Sequence, residues 1–327
     1  MENSVGPQRK EAPVDVSTER PPVFENMRNE LLSFRSSSEG LNMQRVDDFL
    51  VQRGLEVKNA VVFRNGDVSG IERILKPMNL PPEFDLHDVY GLYISEIDLV
   101  LVRRPPGIDE ADRVRMESYL AHEKAHASGG HTNFVELRNG RIFAPRSGFA
   151  LPENAVTGDG DSWGTFLEEG FAEMVAGEYT QTYMSEEEKN KILRIFGESS
   201  DRSAASTVKN VITYGDEQLS LPVKYIYPDG YSYNYTYSGP AAFGLELLCK
   251  KSPELYQTLV AARTDIQSLR KIPQLINGIK EGLHAKLMRL ENAADPAHTD
   301  SFYKGLKMII DEVYCGTLPL NDKNEVI

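Results

Sequence analysis

His122-Glu123-Lys124-Ala125-His126 places two imidazoles four residues apart, with a carboxylate directly after the first. On an α-helix that spacing sets both rings on one face about one turn apart, where they can reach a common ion. Zinc held by two imidazoles and a third protein group keeps one position for water, whose pKa the metal lowers. A neighbouring carboxylate can take the proton of that water, and Glu123 is placed to be that base. The pattern predicts one Zn2+ site with hydrolytic chemistry. Lys124 fills the first of the two middle positions, and its expected place is the solvent side.

A tetrahedral site needs a third protein ligand, and Phe166-Leu167-Glu168-Glu169-Gly170-Phe171-Ala172-Glu173 offers carboxylates for it. Leu167, Phe171, Met174 and Val175 can pack inward and hold Glu169 rigidly against the metal helix. His131 competes for the same position, but it follows Gly129-Gly130 and would have to be ordered at entropic cost.

An H-E-x-x-H followed by a second helix bearing L-x-E-G-F-A resembles the gluzincin clan, the thermolysin-like and aminopeptidase-N-like zinc peptidases. The resemblance covers about residues 113–178 and identifies no family within the clan. It implies a zincin-like α+β core hydrolysing peptide bonds, with a small mixed sheet, the active-site helix, and then a mainly helical C-terminal lobe. It implies Glu169 as third ligand and Glu173, four residues on, as the group that orients a ligand histidine. It implies that Tyr90–Val102 is the strand whose edge receives a peptide substrate. It also implies that a tyrosine of the helical lobe, Tyr235 or Tyr237, stabilises the oxyanion; a packing role for either stays open. The gap from His126 to Glu169 exceeds that of aminopeptidase-N-like enzymes, and a hairpin around Asn139-Gly140 would occupy the excess. The second reading of the chain is a non-catalytic interaction or regulatory protein that keeps the metalloprotease-like fold.

Other signals carry less. A metzincin third histidine would fall on Thr132, one residue from His131, and Asp159-Gly160-Asp161-Ser162 fails an EF-hand spacing and reads as a turn. Cys249 and Cys315 are too few for a thiolate site or a disulfide framework.

The elements that must position these residues follow from periodicity and turn chemistry. Three- and four-residue apolar spacing predicts helices over 23–34 and 41–50, Val57–Phe63 reads as a strand, and a helix follows Asn65-Gly66-Asp67. Tyr90–Val102 is the strongest strand signal and is stopped by Pro105-Pro106-Gly107. Asp109 can cap the metal helix, which runs to Gly129-Gly130. Phe134–Leu137 and Arg141–Phe143 form the two arms of the expected hairpin. Later helices are expected over 165–183, 186–196, 241–250, 254–262, 273–292 and 301–314, with an irregular tyrosine-rich stretch over 225–237.

The organisation read from this is a flexible tail over 1–22, an α/β lobe over 23–162 and a helical lobe over 163–327. Of 327 residues, 40% are hydrophobic and 26% charged, proportions of an ordinary globular chain. A net charge of −13 disfavours a nucleic-acid partner, since phosphate binding needs concentrated Lys and Arg. The absence of an apolar h-region or a long apolar run predicts no membrane association, and reduced thiols predict a cytoplasmic protein acting on a peptide or protein substrate.

Overall fold

The computed structural model describes residues 15–17, 20–34, 40–78, 86–87, 91–104, 110–129, 134–136, 142–143, 148–149, 151–152, 162–183, 209–214, 217–222, 239–290 and 298–315. Its centre is a three-stranded mixed sheet of β2 (Ala60–Arg64), β3 (Gly91–Ile94) and β4 (Leu99–Arg104), ordered β2-β4-β3, with β2 parallel and β3 antiparallel to β4. Side chains alternate across a strand, and here the alternation divides the core in two. Val61, Phe63, Leu99 and Leu101 face a cluster closed by α1 (Pro22–Ser33) and α3 (Val68–Leu75), which bring Phe24, Met27, Leu31, Ile71 and Leu75. Val62, Val100 and Val102 face the larger cluster that contains α4 (Glu110–Ser128), the helix carrying His122 and His126. Burial on both faces is why Leu99–Val102 is continuously apolar.

The single long strand expected over Tyr90–Val102 is two strands. Ser95–Ile97 makes a 3-10 turn, Asp98 takes a left-handed φ of 48°, and the chain reverses so that Ile94 pairs with Leu99. The Tyr93 hydroxyl donates to Asp98 Oδ1 at 3.0 Å, and Arg20 and Lys58 approach the other oxygen at 3.7 and 3.6 Å. Polar Ser95-Glu96 inside an apolar run was the sign of that reversal. Among the described residues, the split leaves β4 central and β3 at the sheet edge.

α5 (Thr165–Tyr183) packs along α4, and its bounds are those expected from sequence. Ala121, Ala125, Ala172 and Ala176 keep the pair close, and Thr180 Oγ1 donates to Ser118 Oγ at 2.9 Å, which donates to the Ala176 carbonyl at 3.1 Å. Fully buried Phe166, Phe171 and Tyr179 anchor α5, each large side chain contributing roughly 1.5–3 kcal/mol. α6 (Gly239–Lys251) crosses α5 where a Cβ on Gly170 would lie 2.8 Å from the Ala241 carbonyl oxygen.

α7 (Glu254–Ala261), α8 (Ile266–Ile279), α9 (Leu283–Met288) and α10 (His298–Tyr314) complete the helical part. The helix expected over 273–292 is two helices and begins earlier. Asp265 caps α8 by accepting from the backbone N–H groups of Gln267 and Ser268 at 3.0 and 2.8 Å, Pro273 lies inside α8, and Gly282 at φ 76° separates α9. Asp15–Ser17, inside the expected tail, forms β1, paired antiparallel with β5 (Phe134–Glu136), which in turn pairs with β6 (Ile142–Phe143). β7 (Leu151–Pro152) and β8 (Ser162–Trp163) form a small ladder, and β9 (Lys209–Tyr214) pairs with β10 (Glu217–Pro222) in a hairpin not read from sequence, although Gly215-Asp216 between two β-prone runs signals it. The described residues are therefore α+β, mainly helical with a small mixed sheet, and one buried apolar cluster runs from Val46 to Tyr314. No helix among them is long and apolar enough to cross a membrane.

Candidate metal centre

α4 and α5 lie side by side, and the face of each toward the other carries the site. His122 and His126, one turn apart on α4, stand with ring centroids 4.7 Å apart and planes at 77°. Their Nε2 atoms are 3.1 Å apart. Glu169 on α5 points its carboxylate between them, 3.5 Å from His122 Nε2 through Oε2 and 3.5 Å from His126 Nε2 through Oε1. The three ligand atoms lie within 4.8 Å of one another.

Each imidazole is held from behind by a carboxylate of α5. His122 Nδ1 lies 2.9 Å from Glu173 Oε2, and His126 Nδ1 lies 2.7 Å from Glu168 Oε1. An ionised carboxylate only accepts, so both Nδ1 atoms carry the proton and both Nε2 atoms turn a lone pair toward Glu169. Among the described residues, three electron-rich groups thus converge with no donor between them, and buried Glu169 Oε2 has no hydrogen-bond partner. Such a cluster holds together only around a cation or added protons. The Nε2–Nε2 spacing of 3.1 Å, and 3.5 Å from each Nε2 to a different Glu169 oxygen, are close to the roughly 3.3–3.4 Å between neighbouring ligands of a tetrahedral zinc ion. His122, His126 and Glu169 are thus close enough together to hold one metal ion.

The local field has the same sense. Burial alone would depress the His126 imidazole, but the Glu169 charge 3.5 Å from Nε2 and the hydrogen bond to Glu168 lift it to about 9. His122 is likewise raised well above its ordinary value, with burial opposed by Glu169 and Glu173. Burial would raise Glu168, yet Arg263 and His126 bring it down to about 2, and Glu169 falls far below the usual carboxylate range through its two histidines against the same desolvation. Positive charge is drawn in, whether carried by protons or by a metal.

Glu123 sits beside the cluster, under the edge strand. Burial raises its carboxyl, the two histidines oppose this, and the backbone N–H of Tyr93 donates to it. The strand comes so close that a Cβ on Gly91 would lie 2.6 Å from Glu123 Cγ.

Sequence reasoning placed His122, Glu123, His126, Glu169 and Glu173, and the structure brings all five together. Tyr235, Tyr237, His131, residues 159–161 of the expected turn and the helix expected over 186–196 lie outside the described residues, while Ser162 opens β8. Lys124 does not face solvent. It is buried and ion-paired with Asp47 of α2 (Met43–Gln52), because that side of α4 is covered by α2, and the pair ties the two helices together. The glutamate behind His126 went unassigned in sequence, although a carboxylate preceding Glu169 was visible. Its partner Arg263, in the turn after α7, gave no signal at all, since it lies 95 residues from Glu168. Compared with family models, with curated proteins and with solved structures, the chain finds no match.

Proposed function

We propose that this chain is a zinc-dependent peptidase of gluzincin type, hydrolysing peptide bonds through a metal-activated water. The observation that carries the reading is the convergence of His122 Nε2, His126 Nε2 and the unpartnered Glu169 Oε2, with each imidazole backed by its own carboxylate. Zinc bound by these three groups supplies a Lewis acid and a water acidic enough to be deprotonated near neutral pH.

The chain's own residues supply the remainder. Glu123, raised by burial and aimed by the Tyr93 amide, takes the water's proton and passes it to the leaving amine. Glu173 and Glu168 hold the imidazoles in the tautomer that presents Nε2. β3 is a sheet edge above Glu123, and an extended peptide adding to it would gain main-chain hydrogen bonds while its scissile bond lies over the site. Tyr235 or Tyr237 is the proposed donor to the oxyanion. A zincin-like arrangement is supported by the order of strand, metal helix and glutamate helix.

The test combines metal analysis of gently purified protein with cleavage of a mixed peptide library, with and without chelator. The expected result is about one zinc per chain and chelator-sensitive cleavage that Glu123→Gln abolishes while keeping its metal. Protein that neither carries nor takes up zinc overturns the reading. Zinc with no cleavage in the wild-type chain would favour a non-catalytic protein on the same scaffold.

A further inference from the structure

We infer that Arg263, acting through Glu168, is a positioning residue for the ligand His126, and that this pair sets how tightly the centre holds its metal; the inference rests on the zinc reading above. Among the described residues, the hydrogen bonds and ion pair of Arg263 go to Glu168, Ser128 and the carbonyls of Ala125 and His126, and to neither imidazole nor Glu169. Its side chain is 0% exposed and reaches from the turn after α7 to the end of the metal helix.

Every acceptor position of Glu168 is filled. Oε2 accepts from Arg263 Nη1 at 2.6 Å and from the Phe149 backbone N–H at 2.7 Å. Oε1 accepts from Arg263 Nη2 at 2.9 Å and faces His126 Nδ1 at 2.7 Å. A forked guanidinium on a carboxylate fixes the plane of that carboxylate, which a point charge could not do. The rotation of Glu168, and with it the angle at which His126 presents Nε2, is therefore set from Arg263.

The arginine is itself immobilised. Its guanidinium lies against the edge-packed pair of rings Phe149 and Phe171, 4.8 and 4.9 Å from their centroids, and Nε donates to Ser128 Oγ at 3.2 Å. Nη2 also donates to the carbonyl of Ala125 and, at 3.1 Å, to that of His126. Two glycines make room: a Cβ on Gly148, whose φ is 56°, would overlap Glu168 Oε2, and one on Gly129 would lie 2.7 Å from Arg263 Cζ. A pair needed only for stability would not require its acceptor to be the hydrogen-bond partner of a ligand histidine.

Because Arg263 also binds two α4 carbonyls, it could influence the site through the helix end alone. A double-mutant cycle on the full chain separates the two routes. Zinc affinity is measured by competition with a chromophoric chelator for wild type, Glu168→Gln, Arg263→Met and the double variant, and each is loaded with Co2+ for its visible spectrum. We expect each single change to weaken zinc about 10–100-fold and alter the cobalt spectrum, with circular dichroism retained. In the Glu168→Gln background, Arg263→Met should cost less than about threefold more, since its route is already removed. An equal loss in both backgrounds, or an unchanged affinity and spectrum in folded Arg263→Met, overturns the inference. If Arg263→Met does not fold, Arg263→Lys completes the same cycle, keeping the charge without the fork. Wild-type protein that takes up no metal overturns the zinc reading and this inference together, whereas wild type that binds zinc with additive losses overturns only this one.

Discussion

Gly91→Ala should disable the base without touching a ligand. The new Cβ would stand 2.6 Å from Glu123 Cγ, 2.7 Å from Oε1 and 3.0 Å from Cδ, where ordinary contact is 3.4–4 Å. Gly91 has no positive φ, so alanine suits its backbone and the whole effect falls on the neighbour. Relief requires the carboxylate or the strand to move by about 1 Å, and a misplacement of that size at a reacting group lowers turnover about 100-fold. That corresponds to about 2.7 kcal/mol of lost transition-state stabilisation. The assay is kcat and KM on a peptide selected from the library, beside zinc content and thermal melting. Zinc content should stay at wild type, because His122, His126 and Glu169 are untouched. Gly66→Ala, which meets nothing within 4 Å, is the control and should keep its kcat. Folded, zinc-loaded Gly91→Ala with kcat within about twofold of wild type would show that Glu123 is not the group taking the proton.

Glu169→Ala should weaken zinc by orders of magnitude and Glu173→Ala by about 10–100-fold, since the first removes a ligand and the second only its neighbour's support; equal losses in chelator competition would contradict this. His126, raised to about 9 in the metal-free protein, must lose its proton to bind zinc, so affinity should keep rising between about pH 6.5 and pH 9. The stability that protonated His126 gives the metal-free fold runs the other way: it is full below its unfolded value of 6.5 and lost as pH rises through about 9. A zinc affinity already level above about pH 7, or metal-free protein whose melting temperature climbs over that range, would refute the linkage. Asp47→Ala should destabilise the fold more than Lys124→Met, about 3–5 against about 1–2 kcal/mol by denaturant unfolding, because Lys124 is 3% exposed and would be left charged and buried, whereas Asp47 at 29% can turn to water. The opposite order would mean that α2 does not seal that side of the metal helix.

What the sequence revealed about the candidate centre was local. Glu169 and Glu173 are read from the resemblance of the second helix to the gluzincin pattern, and His122, Glu123 and His126 from helical spacing, because a helix converts sequence interval directly into direction. The same logic found α5 to the residue. It failed where direction depends on a partner far along the chain. Lys124 was given to solvent because only its own helix was in view, and α2 is what covers it. Tyr90–Val102 was read as one strand because apolar content dominates over the polar pair Ser95-Glu96, and pairing, not propensity, decided where the chain turns. Pro273 was taken as a helix start, yet the Asp265 cap eight residues earlier sets the boundary and the proline is accommodated within α8. Arg263 could not be found at all, since nothing in its neighbours distinguishes it from any arginine after a helix.

The carbonyls of the metal helix close on an arginine 137 residues beyond His126, and this bears on how a nascent chain assembles. At translation rates of about 5–20 residues per second, on the order of ten seconds separate the two in synthesis. Through that interval α4 and α5 can already lie together, with both histidines and Glu169 present, while Glu168 and the carbonyls at the end of α4 lack the guanidinium of Arg263. The centre is therefore finished from the C-terminal side, and a ribosome-bound intermediate lacking the turn after α7 holds the ligands without the clamp that orients them.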